Sequence, residues 1–165
     1  MKTLLLLLIV SAGCFAQSAA GRSKRMADLD YFRGSWECAG KFVRSGAAIE
    51  ANQSFEPILD GAFLLFRHDD KPPHQYHAWA EWGWDESGKQ FVSTIQDSTG
   101  GLRIFHSSGW QGEHLVWEGG SPPQTSGQKF TFERVSPRQF RVSYAYEKDG
   151  AWTDVDSSTC TASGK

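Results

Sequence analysis

From residue 36 to residue 161 the chain is a succession of short alternating segments. No stretch between them has the length or the 3.6-residue period of a core helix. The segments span 36–43, 49–57, 62–68, 75–84, 90–97, 102–109, 114–118, 128–135, 139–147 and 151–161. Turn sequences separate them: Ser45-Gly46, Asp60-Gly61, Pro72-Pro73, Asp85-Glu86-Ser87-Gly88, Thr99-Gly100-Gly101, Gln111-Gly112, Ser136-Pro137 and Asp149-Gly150. Asp60-Gly61 and Asp149-Gly150 suit tight turns because glycine accepts positive φ without steric cost. Residues 119–128, with Pro122-Pro123, form the one long loop. Such a chain is all-β, and its segments predict a single closed antiparallel up-and-down barrel of about ten strands.

Strands send alternate residues to opposite faces, so each short turn passes the face assignment to the next strand. Centring the hairpins on the turns pairs Phe42 with Ile49, Leu59 with Ala62, His68 with His77, His77 with Asp97, Asp97 with Leu102, and Tyr146 with Trp152. One face then collects Trp36, Cys38, Phe42, Ile49, Phe55, Leu64, Phe66, Trp79, Phe91, Ile95, Leu102 and Ile104. It continues through Leu115, Trp117, Phe130, Phe132, Phe140, Val142, Tyr144, Tyr146 and Trp152. The same face carries Gln53, His68, His77, Glu81, Ser93, Asp97, His106, Arg134, Asp154 and Asp156. A solid core would not hold so many polar groups, since each needs a buried partner or water. A cavity filled by water or ligand accounts for them, and ten strands are wider than the eight that side chains fill.

The polar residues fall by axial position. His68, His77, Asp97, Trp117, Tyr146, Trp152 and Asp154 are expected at one rim, with Trp36, Arg134, Cys38 and Cys160 at the opposite end. Cys38 and Cys160 stand near the start of the first strand and the end of the last, which a closed barrel makes neighbours. That placement predicts a disulfide across a loop of roughly 120 residues, stabilising by about 4–5 kcal/mol less any strain. Two buried free thiols are the alternative.

Residues 1–16 read as an export signal: Met1-Lys2, the apolar run Leu4 to Val10, then Gly13-Cys14-Phe15-Ala16 before Gln17. The run is short of the roughly 20 residues of a stable membrane span. Export implies a periplasmic or secreted protein in an oxidising compartment. The rival reading of Ser11-Ala12-Gly13-Cys14 is a lipobox, with Cys14 lipidated. Residues 17–27 are small, polar and basic and read as a flexible tether, leaving 28–165 as the barrel domain. Net charge is −2 with scattered basic residues, so nothing suggests a nucleic-acid surface. Aromatics number 22 of 165, seven of them Trp, and such rings make good cavity walls.

The start Phe32-Arg33-Gly34-Ser35-Trp36 resembles the Gly-x-Trp opening of lipocalins and other calycins. That resemblance implies that Trp36 plugs the closed end, with Arg134 packed over it. Gly34-x-Trp36, Gly83-Trp84-Asp85 followed by Phe91, Asp97-Ser98 and Asp149-Gly150-x-Trp152 resemble, more narrowly, the lipocalin-like domain of unknown function 1579 family. Ile95 departs from that pattern where a Trp is expected, and the 119–128 loop is unusually proline-rich. The family has no agreed activity, so the resemblance implies fold rather than function.

Function is read from the inward residues. The expected ligand is small and apolar or amphipathic, held by His68, His77, Trp79, Asp97, His106, Trp117, Tyr144, Tyr146, Trp152 and Asp154. Three chemistries compete with a carrier. His68, His77 and Asp97 form a candidate divalent-metal set, since imidazole and carboxylate suit zinc or iron, although no HxH or HExxH spacing is present. His77 beside Asp97 would make an acid–base pair of the kind isomerases and hydratases use. His106 would be an axial ligand if the barrel resembles the haem-holding nitrobindins. The plainer readings are a hydrogen-bonded polar mouth, a cross-strand pair and a core histidine, so no cofactor and no catalytic residue are assigned. No Ser-His-Asp set, P-loop or Rossmann glycine motif occurs.

Overall fold

Alternating segments joined by short turns pair each with the next, and that pairing accounts for most of the molecule. In the computed structural model, residues 24–121 and 126–164 are described. The expected export segment at 1–16, residues 17–23 of the expected tether and Pro122–Thr125 of the long loop lie outside the described residues. The strands are β1 (Gly34–Phe42), β2 (Ala48–Ile58), β3 (Phe63–Asp70), β4 (His77–Asp85), β5 (Gln90–Asp97) and β6 (Leu102–Ser107). Then come β7 (Trp110–Gln111), β8 (His114–Gly120), β9 (Gln128–Ser136), β10 (Gln139–Lys148) and β11 (Ala151–Ser163). They form one antiparallel sheet in the order β6-β5-β4-β3-β2-β1-β11-β10-β9-β8, and a β6–β8 pairing closes it. The two residues of β7 pair with β8 along the same edge that β6 occupies further on, so β7 continues the line of β6 in the wall. Closure removes the free edges that an open sheet would expose.

At the β6–β8 seam Gly119 faces Phe105, and a Cβ there would lie 1.9 Å from the Ile104 carbonyl oxygen. Only glycine lets the two backbones meet at that point. The other seam joins β1 to β11, where Cys38 and Cys160 stand directly opposite and form the disulfide across 122 residues of chain.

A 3₁₀ helix, Lys24–Phe32, covers one end and buries Met26, Leu29 and Phe32. The first turn of this helix occupies 24–27, so the tether does not extend to 27 as its composition suggested. Phe32 is fully buried, its ring 5.1–5.5 Å from those of Phe55, Trp82, Trp110, Phe132 and Phe140. Gly34 then takes φ +108, a conformation closed to most side chains, and turns the chain from the helix into β1. Trp36 packs on Phe140 and donates its indole N–H to the Phe32 carbonyl at 2.6 Å. The Gly-x-Trp therefore joins plug to wall. Arg134 does not cover Trp36: its guanidinium stacks over Trp110 at 3.6 Å and Tyr31 at 4.8 Å, on the outer layer of the plug.

Three turn centres differ from the expected ones, and each moves residues across the wall. Asp69, not His68, pairs with His77, because the β3–β4 turn centres on Pro73. Asp85 pairs with Gln90, so the next turn centres between Ser87 and Gly88 and restores β5 to its expected face. Gln96 pairs with Leu102 around Thr99. As a result β4 sends Ala78, Ala80 and Trp82 inward, while His77, Trp79 and Glu81 face out. On β6, Arg103 and Phe105 face in, and Leu102, Ile104 and His106 face out. Beyond Tyr144 a bulge shifts the β10–β11 register by one residue, which turns Trp152 and Asp154 outward.

Candidate functional site

The half of the barrel away from the plug holds a cavity of about 480 Å³. Its lower wall is apolar: Trp82, Phe105, Trp117, Phe132 and Val142, with Phe66, Ile95 and Phe130 above them. Inward positions on adjacent strands supply these side chains, so the alternation that folds the barrel also builds the pocket.

Two polar groups line the upper part. On one side Asp97, at the end of β5, accepts hydrogen bonds from the Thr99 and Gly101 backbone N–H groups, both at 3.0 Å, and from the Thr99 hydroxyl at 2.5 Å. Arg103 donates to Asp97 at 3.0 Å and to the Tyr76 hydroxyl at 2.5 Å. Burial opposes the Asp97 charge, but these hydrogen bonds and the guanidinium outweigh it and hold the carboxyl below the usual range. Burial pushes the Tyr76 and Tyr144 phenols up, so both stay protonated donors.

On the other side a relay crosses β2 and β3. The Gln53 amide N–H donates to His68 Nδ1 at 3.1 Å, and His68 Nε2–H donates to Asp70 at 2.8 Å. Both ring nitrogens are thereby engaged. Asp156, on β11, is close enough for Asp70 to act on it. Burial first, and the Asp70 charge second, push the Asp156 carboxyl up to about 6.

Several buried polar atoms lining the cavity have no protein partner: Gln53 Oε1, Ser93 Oγ, Arg103 Nε and Trp117 Nε1. Each costs about 1–3 kcal/mol unless something in the cavity bonds it. They are the structural mark of an interior meant to hold polar or mixed contents.

Of the residues the sequence nominated, His68, Asp97, Trp117 and Tyr144 line this cavity. The others do not. His77 lies outside, bonded to Asp69 at 2.8 Å, so it neither joins His68 in a metal set nor pairs with Asp97 as an acid–base couple. Trp79 is 45% exposed on the outer face. Tyr146 is exposed beside the β10–β11 turn, and Asp154 is exposed beyond the bulge. Trp152, also exposed, lies under the Lys129 ammonium at 4.0 Å. His106 alternates with the inward Phe105, so it cannot present a nitrogen to the interior. His68, the one histidine lining the cavity, has both nitrogens engaged, and a haem held by one free His does not fit these residues. Among the described residues, no group of three or more His, Cys, Asp or Glu side chains is disposed to hold a metal ion. No helix among them is long and apolar enough to cross a membrane.

Asp70, Tyr76, Trp82 and Arg103 line the cavity without having been nominated. Asp70 lies two residues beyond His68 and shares its face, so parity alone points to it. Arg103 and Trp82 depended on the turn centres. The signal for one of them was Asp97-Ser98-Thr99-Gly100-Gly101, since an Asp that caps its own turn fixes where the turn begins.

The class defined by this architecture is a closed antiparallel barrel of calycin or lipocalin type with an internal cavity. No protein-family model matches the chain, and no curated protein does. Among solved structures it is similar to Rv2717c from M. tuberculosis, at 12% identity and a TM-score of 0.61, covering 87% of this chain and 99% of that one. A redesigned β-barrel aligns at TM-score 0.48 and 12% identity, over 87% of this chain and 100% of its own. EF1p2_mFAP2b, solved bound to DFHBI, aligns at TM-score 0.46 and 10% identity, over 84% of this chain and 99% of its own. At these identities the likeness concerns the fold alone.

Proposed function

We propose that this protein binds a small, partly apolar molecule inside the barrel and acts as an exported carrier or sensor rather than an enzyme. The observation that carries this reading is the cavity of about 480 Å³, apolar below and polar above, with buried polar atoms left unbonded by the protein. That combination is the usual make-up of small-molecule sites. The export-like N-terminal sequence and the Cys38–Cys160 disulfide support an oxidising, extracytoplasmic setting. The Gly34-x-Trp36, Gly83-Trp84-Asp85 and Asp149-Gly150-x-Trp152 pieces support placement in the domain of unknown function 1579 family. His68, Asp97, Trp117 and Tyr144 are the nominated residues we retain as ligand contacts, joined by Asp70, Tyr76, Arg103 and Asp156.

Native mass spectrometry of residues 17–165 beside a denatured control tests the reading, together with titration by anilinonaphthalene sulfonate. A co-purified mass lost on denaturation, or dye binding that shifts the tryptophan emission, is the expected result. A protein that carries nothing and takes up no dye has a filled interior, and the carrier reading fails.

A further inference from the structure

The charges lining the cavity do not balance. Arg103 is the one Lys or Arg among the described residues that line the cavity, and Asp97 already takes it, with side chains only 14% and 6% exposed. His68 is engaged at both nitrogens, by Gln53 and by Asp70. Asp70 and Asp156 are left as two carboxylates in one low-dielectric space, and the one charge acting on Asp156 is that of Asp70, of like sign.

An independent observation concerns Gln53. This residue is 5% exposed, yet its Oε1 has no partner. The amide nitrogen of Gln53 is turned to His68 Nδ1, which leaves Oε1 as the unpaired end of the amide. A lone acceptor therefore stands beside the two carboxylates. Acceptors cluster on the wall formed by β3, β2, β1 and β11, and what they lack is a donor bearing positive charge.

We propose that the cavity selects a ligand whose apolar body carries a protonated nitrogen, the cation seated against Asp70, Asp156 and the Gln53 carbonyl and the body lying on Phe66 and Trp82. This rests on the carrier reading and adds the chemical class of ligand. A neutral ligand leaves the carboxylates uncompensated, and an anion meets like charge where it can least be screened. The cation replaces the counter-charge that the barrel itself does not supply. Asp156 is faced by Tyr144 from β10 and Asp70 from β3, with His68 behind Asp70 and Arg103 hydrogen-bonded to Tyr144. None of these offers it a free positive charge. Seating a cation therefore also draws off the proton that Asp156 retains near its pKa.

The test uses three probes with one apolar body: 4-phenylbutylamine, 4-phenylbutanol and 4-phenylbutyrate, followed by calorimetry on the mature chain. The amine is expected to bind at least about tenfold tighter than the alcohol, with the carboxylate weakest. In Asp156→Asn the amine preference collapses while alcohol affinity holds within about threefold, which shows that the variant is folded. In the unmodified protein, amine affinity falls roughly tenfold from about pH 7.5 to about pH 5 while alcohol affinity stays flat. An alcohol that binds as well as the amine, or a preferred carboxylate, overturns the cation assignment and leaves the carrier standing. If none of the three binds, the cation assignment falls, and the carrier reading is decided by the co-purified mass and the dye titration.

Discussion

The two halves of the barrel are built from the same alternating strands and differ only in what fills them. At the plugged end, Phe32 from the N-terminal helix enters a cage of Phe55, Trp82, Trp110, Phe132 and Phe140, and Met26 and Leu29 complete the seal. At the open end no helix enters among the described residues, and the inward residues become His68, Asp70, Asp97, Arg103, Tyr144 and Asp156. A ten-stranded wall is too wide for its own side chains to fill. One half solves this with a segment from outside the sheet, and the other leaves the space. Stability is thus concentrated at the plugged end and binding capacity at the open end.

Replacing one phenylalanine in each half gives the largest contrast. Phe32→Ala is expected to lose about 3–5 kcal/mol, because its cage is rigid and cannot collapse on the void. Phe66→Ala removes a ring that already borders the cavity, and is expected to cost about 1–2 kcal/mol. Urea unfolding of both variants measures the difference. Equal losses would mean that the open half is packed as densely as the plug, and would remove the basis for the comparison.

How much of this was legible in the sequence follows the same division. The strand count, the closure, the Cys38–Cys160 pairing and the inward course of β1, β2, β3, β5, β8 and β9 follow from period and turn chemistry. These strands have short turns or strong apolar alternation, so their faces are over-determined. β4 and β6 were not, because each face carries a plausible apolar set. Trp79 and Trp82 are both aromatic, and Leu102 and Ile104 compete with Arg103 and Phe105. There the face depends on whether a turn centres on a residue or on a bond, and a half-residue error moves every side chain through the wall. The rim suffered most, since it draws on the ends of these very strands. The plug was also hidden: the buried residues of Lys24–Phe32 recur every third position, the short 3₁₀ period rather than the 3.6 of a core helix, and its role depends on Gly34 turning it back across the barrel end.

The open half should also show the mark of a functional residue that costs stability. Asp156 has its carboxyl raised to about 6 in the folded protein, well above the ordinary value of 3.8. Between those two pH values the folded state holds a proton that the unfolded state has released. Stability from this group is therefore full below about pH 4 and is lost as pH rises through about 6. Asp156→Asn removes that loss. The variant is expected to be more stable than the unmodified protein by about 1–2 kcal/mol at neutral pH, allowing for water in the cavity, and to match it near pH 4. Unfolding curves at the two pH values decide the sign. A variant less stable at neutral pH would show that Asp156 is held by a favourable partner, and would place it with the structural residues of the plugged end.

The smallest effect is expected where the sequence suggested a large one. Trp79, read from its hairpin as a cavity wall, stands 45% exposed between Arg67 and Gln96 on the outer face. An exposed strand side chain away from caps, ion networks and cavities changes stability by no more than about 0.5 kcal/mol. Trp79→Ala should therefore fall within that range and leave ligand affinity unchanged, as measured by urea unfolding and by titration with the probe that binds. Trp82→Ala three residues on should lose several-fold more stability and weaken binding, because Trp82 touches both Phe32 in the plug and the cavity wall. If the two variants exchanged these outcomes, β4 would run with its other face inward. The turn centred on Pro73 would then be wrong by half a residue, and the inward set of β4 would have to be redrawn.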